Sequence, residues 1–240
     1  MDFDVYEYTS KGGRDYNEDC LGSCYNEDGG IFVVADGLGG HTLGDMASHK
    51  AVETIISGWD HTSENISEEL DRKIEEANIA ILDLQSEMKA VMKTTAAALA
   101  VKGTKAVCAN SGDSRVYVIH GNEFVYCTND HSVAFKKYKA GEITREQIAA
   151  DEDQSSLLRS LGSKDRYKPE IYSPNIEICR GDAFFLCSDG AWEYLRDEEI
   201  LIDFLKSETA RQWSELLMLR IMERVTVRND NLSLLTVIIK

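Results

Sequence analysis

Short apolar segments joined by tight turns run through the middle of this 240-residue chain, and they restrict its fold more than any other feature. Four such segments follow one another, at Thr95–Val101, Ala106–Ala109, Val116–Ile119 and Phe124–Cys127. The connections at 102–104 and 120–122 each contain a glycine and are too short for the long crossover that parallel strands require. The sequence therefore predicts an antiparallel meander in this region.

Further strand and helix patterns flank this meander. Apolar runs typical of strands occur at Phe3–Tyr8, Ile31–Ala35, Ala183–Cys187 and Leu232–Ile239. Apolar residues at helical spacing predict helices over Thr42–Trp59, Glu68–Met88, Glu198–Leu205 and Gln212–Glu223. Strands in runs, with helices in separate blocks, indicate an α+β fold rather than alternating βαβ units. Two facing antiparallel sheets flanked by helix pairs would bury every apolar face, although the pattern allows other arrangements too.

Length and composition predict one domain over residues 1–240. Hydrophobic residues make up 43% of the chain, enough for a sizeable core, and no stretch resembles a linker. A polar segment at about 132–161, which we call the flap, is predicted to be a helical excursion from that domain.

The apolar runs are too short to span a bilayer and the first residues lack a signal-peptide pattern, so we expect a cytoplasmic protein without membrane contact. No heptad pattern is present, so we expect a monomer.

The formal net charge of −16 excludes one class of partner. Binding to a nucleic-acid backbone needs clustered Lys and Arg, so we expect no nucleic-acid partner. The same charge would attract cations, although acidity also simply keeps a protein soluble.

The six cysteines form no CxxC pair, and their spacing predicts neither a zinc site nor a disulfide framework. We expect His49, His61 and His120 to be solvated or to lie on the surface of helices.

Acidic residues recur where the predicted strands begin or end. Asp36 and Asp189 each follow an apolar run and precede a glycine, Asp113 follows another run, and Glu18 and Asp230 stand before strand-like segments. A buried carboxylate is costly unless it is paired or bound to a metal. Converging carboxylates without matching lysines repel one another, and oxygen-ligated Mg²⁺ or Mn²⁺ would remove that repulsion. Each Asp-Gly pair alone is more typical of an ordinary turn, so the metal hypothesis depends on several acting together.

Taken in order, these residues resemble the motifs of the metal-dependent protein phosphatases, the PPM or type 2C serine/threonine family. Residues 14–19, Arg-Asp-Tyr-Asn-Glu-Asp, are similar to its Arg-x-x-Asn-Glu-Asp opening, and residues 36–41, Asp-Gly-Leu-Gly-Gly-His, to the bacterial form of its Asp-Gly motif. Further matches follow in the family's order at Thr94-Thr95, Gly112-Asp113-Ser114-Arg115, Asp130-His131-Ser132, Ser188-Asp189-Gly190 and Asp230-Asn231. The resemblance spans residues 14–239 and points to the small bacterial branch.

The resemblance implies a fold and a set of metal ligands. The fold is a four-layer αββα sandwich of two antiparallel sheets flanked by helix pairs, with its metal centre at one end of the sheets. Asp36 would bridge two Mn²⁺ or Mg²⁺ ions. Glu18 and the Gly37 carbonyl would complete one metal site, and Asp189 and Asp230 would complete the other.

The same resemblance implies a third ion, a phosphate-binding group and a reaction. Asp113 would support a third, weaker divalent ion together with Asp189, and Arg14 would hold the substrate phosphate with its planar fork of donors. Water or hydroxide bridging the two ions would attack the phosphorus of phosphoserine or phosphothreonine in line. The resemblance also implies that the substrates would be phosphorylated proteins, made by a cognate bacterial Ser/Thr protein kinase that this phosphatase would oppose.

Three features are left open by the motifs. Some members of the family carry a histidine two residues after the bridging aspartate, proposed as the general acid, where this chain has Leu38. His41 could act through water, but a residue at the start of a helix needs no catalytic role. Glu193 occupies a position where the family often has another acidic residue. The charged residues of the flap would either sort phosphopeptides or simply cover a solvated helix.

Two other functions are compatible with the motifs. A phosphatase-like fold could recognise a phosphoprotein without hydrolysis, which the loss of a ligand carboxylate would favour, but none is lost here. A different metal hydrolase could act on small phosphoesters or nucleotides, since the acidic charge argues only against polymeric nucleic acid. A Ser/His/Asp triad is not expected from Asp130, His131 and Ser132, because triad members normally come from different elements.

Overall fold

The computed structural model describes residues 1–39, 43–61, 63–174 and 176–240, and within these ranges it contains the following elements. The strands are β1 (Phe3–Ser10), β2 (Asp19–Asn26), β3 (Gly29–Leu38), β4 (Lys93–Thr94), β5 (Ala96–Lys102), β6 (Lys105–Ser111), β7 (Arg115–His120), β8 (Glu123–Cys127), β9 (Glu170–Tyr172), β10 (Ala183–Cys187) and β11 (Leu232–Ile239). The α-helices are α1 (Leu43–Ser57), α2 (Ile66–Met88), α3 (Val133–Lys139), α4 (Asp189–Trp192), α5 (Asp197–Leu205) and α6 (Ala210–Arg224), and a 3₁₀-helix covers Ile148–Ala150.

Two antiparallel sheets form the centre of the molecule. The first has the strand order β1-β11-β10-β7-β8. The second has the order β2-β3-β5-β6-β9, and β4 pairs with the end of β3. The pairs β5–β6 and β7–β8 are hairpins, as predicted, but the single meander was wrong because these hairpins lie in different sheets. Gly112, at φ +111°, lies in the short connection where the chain passes from one sheet to the other.

The side chains of the strands alternate between two kinds of core. On β10, Phe184 and Leu186 point between the two sheets, whereas Phe185 points outward and packs 5.9 Å from the ring of Trp213 on α6. This period of two is the geometry of a strand covered on both faces. Helices α1 and α2 cover the second sheet, and α5 and α6 cover the first. The α+β prediction of a four-layer αββα sandwich is therefore confirmed.

The flap is helical only in part and is anchored to the first sheet. Its helix α3 and its 3₁₀-helix place Phe135 and Ile148 in the same core cluster as Trp213. Lys137 lies 2.8 Å from both Asp151 and Asp153, so part of the charge that we expected to face a substrate or solvent is neutralised within the flap. The flap is thus packed against the rest of the fold and is not a solvated helix.

The two ends of the flap are held close together. Ser132 forms an isolated β-bridge with Leu157, and Leu161 forms another with Thr94. Leu161 donates its N–H to the Thr94 carbonyl at 2.8 Å and accepts the Thr94 N–H at 3.3 Å. The excursion therefore leaves and rejoins the sandwich at one place, next to the end of β3.

No helix of the described residues is long and apolar enough to cross a membrane. His41, considered above as a general acid, lies outside the described residues.

Candidate metal centre

Acidic residues from five places in the chain meet at one end of the two sheets. Asp36 lies near the end of β3, Asp113 follows β6, and Asp189 follows β10. Glu18 directly precedes β2, and Asp230 lies two residues before β11. Because neighbouring strands are antiparallel, the ends of β3 and β10 lie beside the starts of β2 and β11. The structure thus brings together the acidic side chains that the sequence singled out.

Asp36 is at the centre of this group, and threonine residues hold its backbone. Its N–H donates to Thr95 Oγ1 at 2.9 Å, and its carbonyl accepts the Thr94 hydroxyl at 2.8 Å and the Thr95 N–H at 2.8 Å. The carboxyl groups of Asp36 and Asp189 lie close enough together for the charge of Asp189 to raise the pKa of Asp36. Neighbouring buried carboxylates repel each other unless one is protonated or a cation lies between them.

Burial and mutual repulsion raise the pKa of these carboxyl groups. Burial, followed by the charges of Asp19, Asp189 and Asp113, holds the pKa of Asp36 well above its ordinary value. Burial, followed by Asp189, does the same to the pKa of Asp113. Burial, followed by Asp230, raises the pKa of Asp189. Without a cation the cluster therefore holds protons more tightly than isolated carboxyl groups do, and a divalent ion would take their place.

Two buried carboxylate oxygens have no hydrogen-bond partner among the described residues. These are Oδ1 of Asp19 and Oδ1 of Asp189. An unpartnered buried oxygen costs about 1–3 kcal/mol, so a native structure seldom keeps one without another ligand. The donors available are carboxylates and the Gly37 carbonyl, which suit Mg²⁺ or Mn²⁺ better than zinc or copper. The residues present therefore fit a divalent cation centre.

Asp19 is a member of this cluster that sequence reasoning did not assign to the site. It lies opposite Asp36 in the β2–β3 pair, and its Oδ2 accepts the Ser188 hydroxyl at 2.7 Å. Burial, with Asp189 and Asp230 nearby, raises the pKa of Asp19 to about 7. The pairing register of β2 with β3 could have identified Asp19 as a member of the site. A residue that pairs with Asp36 at the end of a strand has the same surroundings as Asp36.

Backbone contacts position Glu18 beside β3 and the start of α1. Gly37 donates its N–H to the Glu18 carbonyl at 3.1 Å, and Gly44 donates its N–H to Glu18 Oε1 at 3.2 Å. A Cβ on Gly37 would lie 2.2 Å from the Gly44 carbonyl oxygen, so this approach requires glycine. Burial raises the pKa of Glu18, while the Gly44 hydrogen bond lowers it.

Asn231 connects the two halves of the cluster, a role that its motif alone did not reveal. Its Oδ1 accepts the Glu18 N–H at 2.8 Å. Its Nδ2 donates to the carbonyl oxygens of Lys11 at 3.0 Å and Tyr16 at 2.8 Å. Since Asp230 is the preceding residue, these bonds hold Asp230 and Glu18 near each other.

Two groups lie at the edge of the cluster. The Arg14 guanidinium donates to Asp230 Oδ2 at 2.5 Å and its side chain is 57% exposed, so it can be reached by a ligand from solvent. Gln154, which comes from the flap, donates to Asp189 Oδ2 at 3.3 Å. No local pattern marks Gln154, because its position depends on how the flap packs.

Glu193 lies in a cavity of about 470 Å³ next to the cluster. Burial, followed by Asp189 and Asp230, raises the pKa of Glu193 to about 8. The flap contributes Arg145 to the same cavity, where it donates to Asp197 at 2.7 Å. The cavity is thus lined by flap residues on one side and by residues 192–198 on the other.

The Asp130-His131-Ser132 segment is structural, as expected. Asp130 accepts two hydrogen bonds from the buried Arg115, at 2.8 and 2.6 Å. His131 Nδ1 accepts the Gly112 N–H at 3.2 Å, and the Ser132 hydroxyl accepts the N–H of Phe135 at the start of α3. Each side chain contacts a different part of the backbone or core, so the three do not form a triad.

The surface expectation for the three histidines holds in full only for His49, because His61 and His120 are partly buried. His49 is exposed, but His120 is only about one-third exposed and lies 2.8 Å from the buried carboxylate of Asp182. The two residues are 62 positions apart in the chain, and only the pairing of β7 with β10 brings them together.

Comparisons with known proteins agree with this geometry. A family model described as protein phosphatase 2C matches residues 12–222. The serine/threonine phosphatase stp of Listeria welshimeri is 35% identical over 203 residues, which cover 81% of this chain and 79% of that protein. The solved structure of the S. agalactiae serine/threonine phosphatase is 26% identical, with a TM-score of 0.86, and the match covers 99% of this chain and 100% of that one.

A further solved structure supports the fold alone. It is the catalytic domain of the serine/threonine protein phosphatase PstP in complex with two manganese ions, at 23% identity and a TM-score of 0.83, with 99% of each chain covered. The resemblance drawn from the motifs is confirmed, because the family model and the relatives both match most of the chain. The chain belongs to the protein phosphatase 2C family.

Proposed function

We propose that this chain removes phosphate from phosphoserine and phosphothreonine in proteins, using two divalent ions held by its carboxylates. The enzyme is a serine/threonine protein phosphatase of the PPM type and a hydrolase, in keeping with its family. The observation that carries the mechanism is the convergence of Glu18, Asp36, Asp189 and Asp230 at one end of the sandwich, with buried oxygens left unpartnered.

The ligand assignment follows the position of each acid. Asp36, which is central and contacts Asp189, would bridge both ions. Glu18 and the Gly37 carbonyl would hold one ion, and Asp189 and Asp230 would hold the other. The PstP structure with two manganese ions supports Mn²⁺, and Mg²⁺ suits the same oxygen ligands. When bound, the ions would supply a nucleophilic hydroxide near neutral pH and positive charge for the phosphate oxygens.

The chain's own residues would do the remaining work. Arg14 is exposed and close to Asp230, so its guanidinium can turn from that carboxylate to two oxygens of a substrate phosphate. Thr94 and Thr95 fix the Asp36 backbone, and Asn231 fixes Glu18 relative to Asp230. These contacts keep the carboxylates in place before a substrate arrives, which lowers the reorganisation needed during the reaction.

Several finer proposals accompany this function. Asp113, which shares a buried environment with Asp189, would support a third and weaker divalent ion. Substrates would be phosphoproteins made by a cognate Ser/Thr kinase, and the net charge of −16 favours substrates other than nucleic acid. We also propose that the protein acts in the cytoplasm as a monomer with residues 1–240 as one domain.

The central test uses Asp36→Asn and a phosphothreonine peptide with Mn²⁺. We expect the variant to lose at least ~100-fold in phosphate release, because it removes the charge that both ions would share. In chelator the same variant should be more stable by about 1–3 kcal/mol, since one repelling buried carboxylate is gone. Asp83→Asn, an exposed position on α2, is the matched control and should change neither quantity.

The outcome separates the three candidate functions. If chelator leaves phosphate release by the unmodified protein unchanged, or if Asp36→Asn keeps full activity, the two-ion proposal is wrong. Phosphopeptide binding without release would favour a recognition module. Faster hydrolysis of free nucleotides than of phosphopeptides would favour a small-molecule hydrolase.

A further inference from the structure

Three potential metal ligands meet at the opposite end of the first sheet from the carboxylates. His120 ends β7, Asp182 directly precedes β10, and Cys179 lies in the turn before it. Because Ile119 pairs with Ala183, the residues just beyond this pair lie side by side. One ligand atom from each of the three side chains lies within 4.8 Å of the other two. We call these three residues the far-end cluster.

The buried carboxylate of Asp182 is held in a fixed orientation at the centre of this cluster. Its side chain is 2% exposed, its Oδ2 accepts the Cys179 N–H at 2.8 Å, and its Oδ1 accepts the Gly121 N–H at 3.3 Å. His120 Nδ1 lies 2.8 Å from Oδ2, and Cys179 Sγ lies 3.7 Å from Oδ1. Zinc ligands held at about 2.0–2.3 Å in a tetrahedron lie about 3.3–3.8 Å apart, and one ligand atom from each of the three side chains lies within 4.8 Å of the others.

The chemistry of the donors differs from that of the carboxylate centre. A thiolate, an imidazole and a carboxylate are the three ligand types that zinc prefers, whereas Mg²⁺ and Mn²⁺ prefer oxygen. Cys179 is exposed, so an ion can enter from solvent. A Cβ added at Gly121 or Gly181 would meet nothing within 4 Å, which leaves room beside the cluster for water as a fourth ligand.

We propose that the far-end cluster is a Zn²⁺ site, separate from the phosphatase centre. Asp182 and Asp189 stand at the two ends of β10, so about 20 Å of extended chain separates the sites. On binding, the S–H bond of Cys179 would break and its proton would pass to the buffer, while the sulfur, His120 Nδ1 and one carboxylate oxygen of Asp182 would form bonds to zinc. The imidazole hydrogen then resides on Nε2, and backbone N–H groups keep Asp182 oriented.

The competing explanation is a hydrogen-bonded turn that never binds metal. Asp182 already accepts two backbone N–H groups, and the imidazole and thiol could simply add to this network. A hydrogen-bonded turn of this kind would form no bond between the thiolate and a metal, so detection of such a bond distinguishes the two explanations.

The test uses Co²⁺ as a spectroscopic substitute for zinc, in excess Mg²⁺. We expect one equivalent of Co²⁺ to give a thiolate-to-cobalt charge-transfer band, and Zn²⁺ to displace it. Cys179→Ser should abolish the band, and Asp182→Asn should weaken zinc binding by at least ~10–100-fold. Asp36→Asn should keep the band, because the phosphatase centre lies at the other end of β10.

Cys24→Ser is the matched control. Cys24 Sγ lies 3.5 Å from His61 Nε2, so it forms a second thiol–imidazole pair, but it belongs to no group of three potential ligands among the described residues. The band should persist in this variant. A band that survives Cys179→Ser, or that is lost in Cys24→Ser, overturns the proposal, as does the absence of cobalt binding. Cys179→Ser should retain Mn²⁺-dependent activity, so failure of the phosphatase proposal is seen separately.

Discussion

Neutral side chains do most of the positioning at the carboxylate cluster. Hydroxyl groups of Thr95 and Ser188 contact Asp36 and Asp19, and the amide of Asn231 contacts the Glu18 backbone. A lysine in these places would satisfy the acids but would also compete with a cation. Neutral donors fix the geometry and leave the negative charge available, which is the arrangement that favours metal binding.

Arg14 is the residue for which the kinetic prediction is sharpest. We expect Arg14→Ala to lower kcat/KM for a phosphopeptide by ~10–100-fold, because a charge-assisted pair to phosphate is lost. The affinity for Mn²⁺ should not fall, since the variant removes a cation that lies against Asp230. Steady-state kinetics and a manganese titration measure both effects.

Arg14→Lys serves as the control for charge. It keeps the positive charge but loses the planar fork, so its kcat/KM should lie between those of the unmodified protein and Arg14→Ala. Unchanged kinetics in Arg14→Ala would contradict a role in phosphate binding.

At the residue scale, the sequence was most informative where a backbone pattern marked an acid. Asp36 and Asp189 stand out because each follows an apolar strand and precedes glycine. Asp19 and Gln154 carry no such mark. The position of Asp19 depends on the register of β2 with β3, and that of Gln154 depends on how the flap packs. Side-chain contacts of this kind follow from the tertiary fold, so no local pattern predicts them.

At the scale of elements, the contact between α4 and the start of β11 decides how Asp189 approaches Asp230. A Cβ on Gly190 would lie 2.0 Å from the Asn231 carbonyl oxygen. We therefore expect Gly190→Ala to separate the two elements, with loss of at least ~10-fold in activity and destabilisation of about 1–3 kcal/mol. Phosphatase assays and urea denaturation measure the two effects.

Gly103→Ala is the control for this substitution. Gly103 has φ +53° in the β5–β6 turn, and a Cβ there would meet nothing within 4 Å. This variant should cost about 1 kcal/mol from backbone strain and leave activity unchanged. Equal activity in the two variants would contradict the role assigned to the α4–β11 contact.

The turn before α3 predicts a pH-dependent stability. Burial, followed by the charge of Arg159, lowers the pKa of His131 to about 4, whereas the unfolded side chain titrates near 6.5. The unfolded state then binds more protons between these values, so stability present above pH 6.5 is lost as the pH falls toward 4. The loss attributable to His131 should be about 2 kcal/mol between pH 7 and pH 5.

The measurement compares urea denaturation of the unmodified protein and His131→Asn at both pH values in chelator. An asparagine oxygen can accept the Gly112 N–H in place of Nδ1, so the variant keeps the hydrogen bond without the titration. Subtracting the change in unfolding free energy of the variant from that of the unmodified protein removes the contribution of the carboxylates, because these titrate in both proteins. An identical pH dependence would contradict the prediction.

The elements themselves were predictable where they are long and apolar. Strands such as β10 and β11 are predictable because burial on both faces leaves a short continuous run of apolar residues. Helices α1 and α2 are predictable because burial on one face leaves apolar residues at helical spacing over a long segment. The crossing from β6 to β7 was not predictable, since a short connection with glycine looks the same in a hairpin and in a corner between sheets. The three-residue β9 is defined by its pairing with β6 rather than by its own sequence.

At the scale of the whole molecule, the charge of −16 should affect which substrates are captured. We expect a phosphopeptide flanked by Lys and Arg to have a higher kcat/KM than one flanked by Glu, because the negative field attracts the first and repels the second. Raising salt from about 50 to about 500 mM should reduce the difference by screening. A preference for the acidic peptide, or one that salt does not change, would contradict this expectation.

The β-bridges of Ser132 with Leu157 and of Thr94 with Leu161 have a consequence for divergence within the family. Because the two ends of the flap are paired beside the sandwich, the intervening residues can be lengthened, shortened or exchanged without altering the spacing of the strands. The same segment places Gln154 on Asp189 and Arg145 in the adjoining cavity, so exchanging it would change groups beside the metal centre while the strands stay in place. We expect a chimaera carrying another relative's segment between these bridges to keep the fold and to differ from this chain in substrate selectivity.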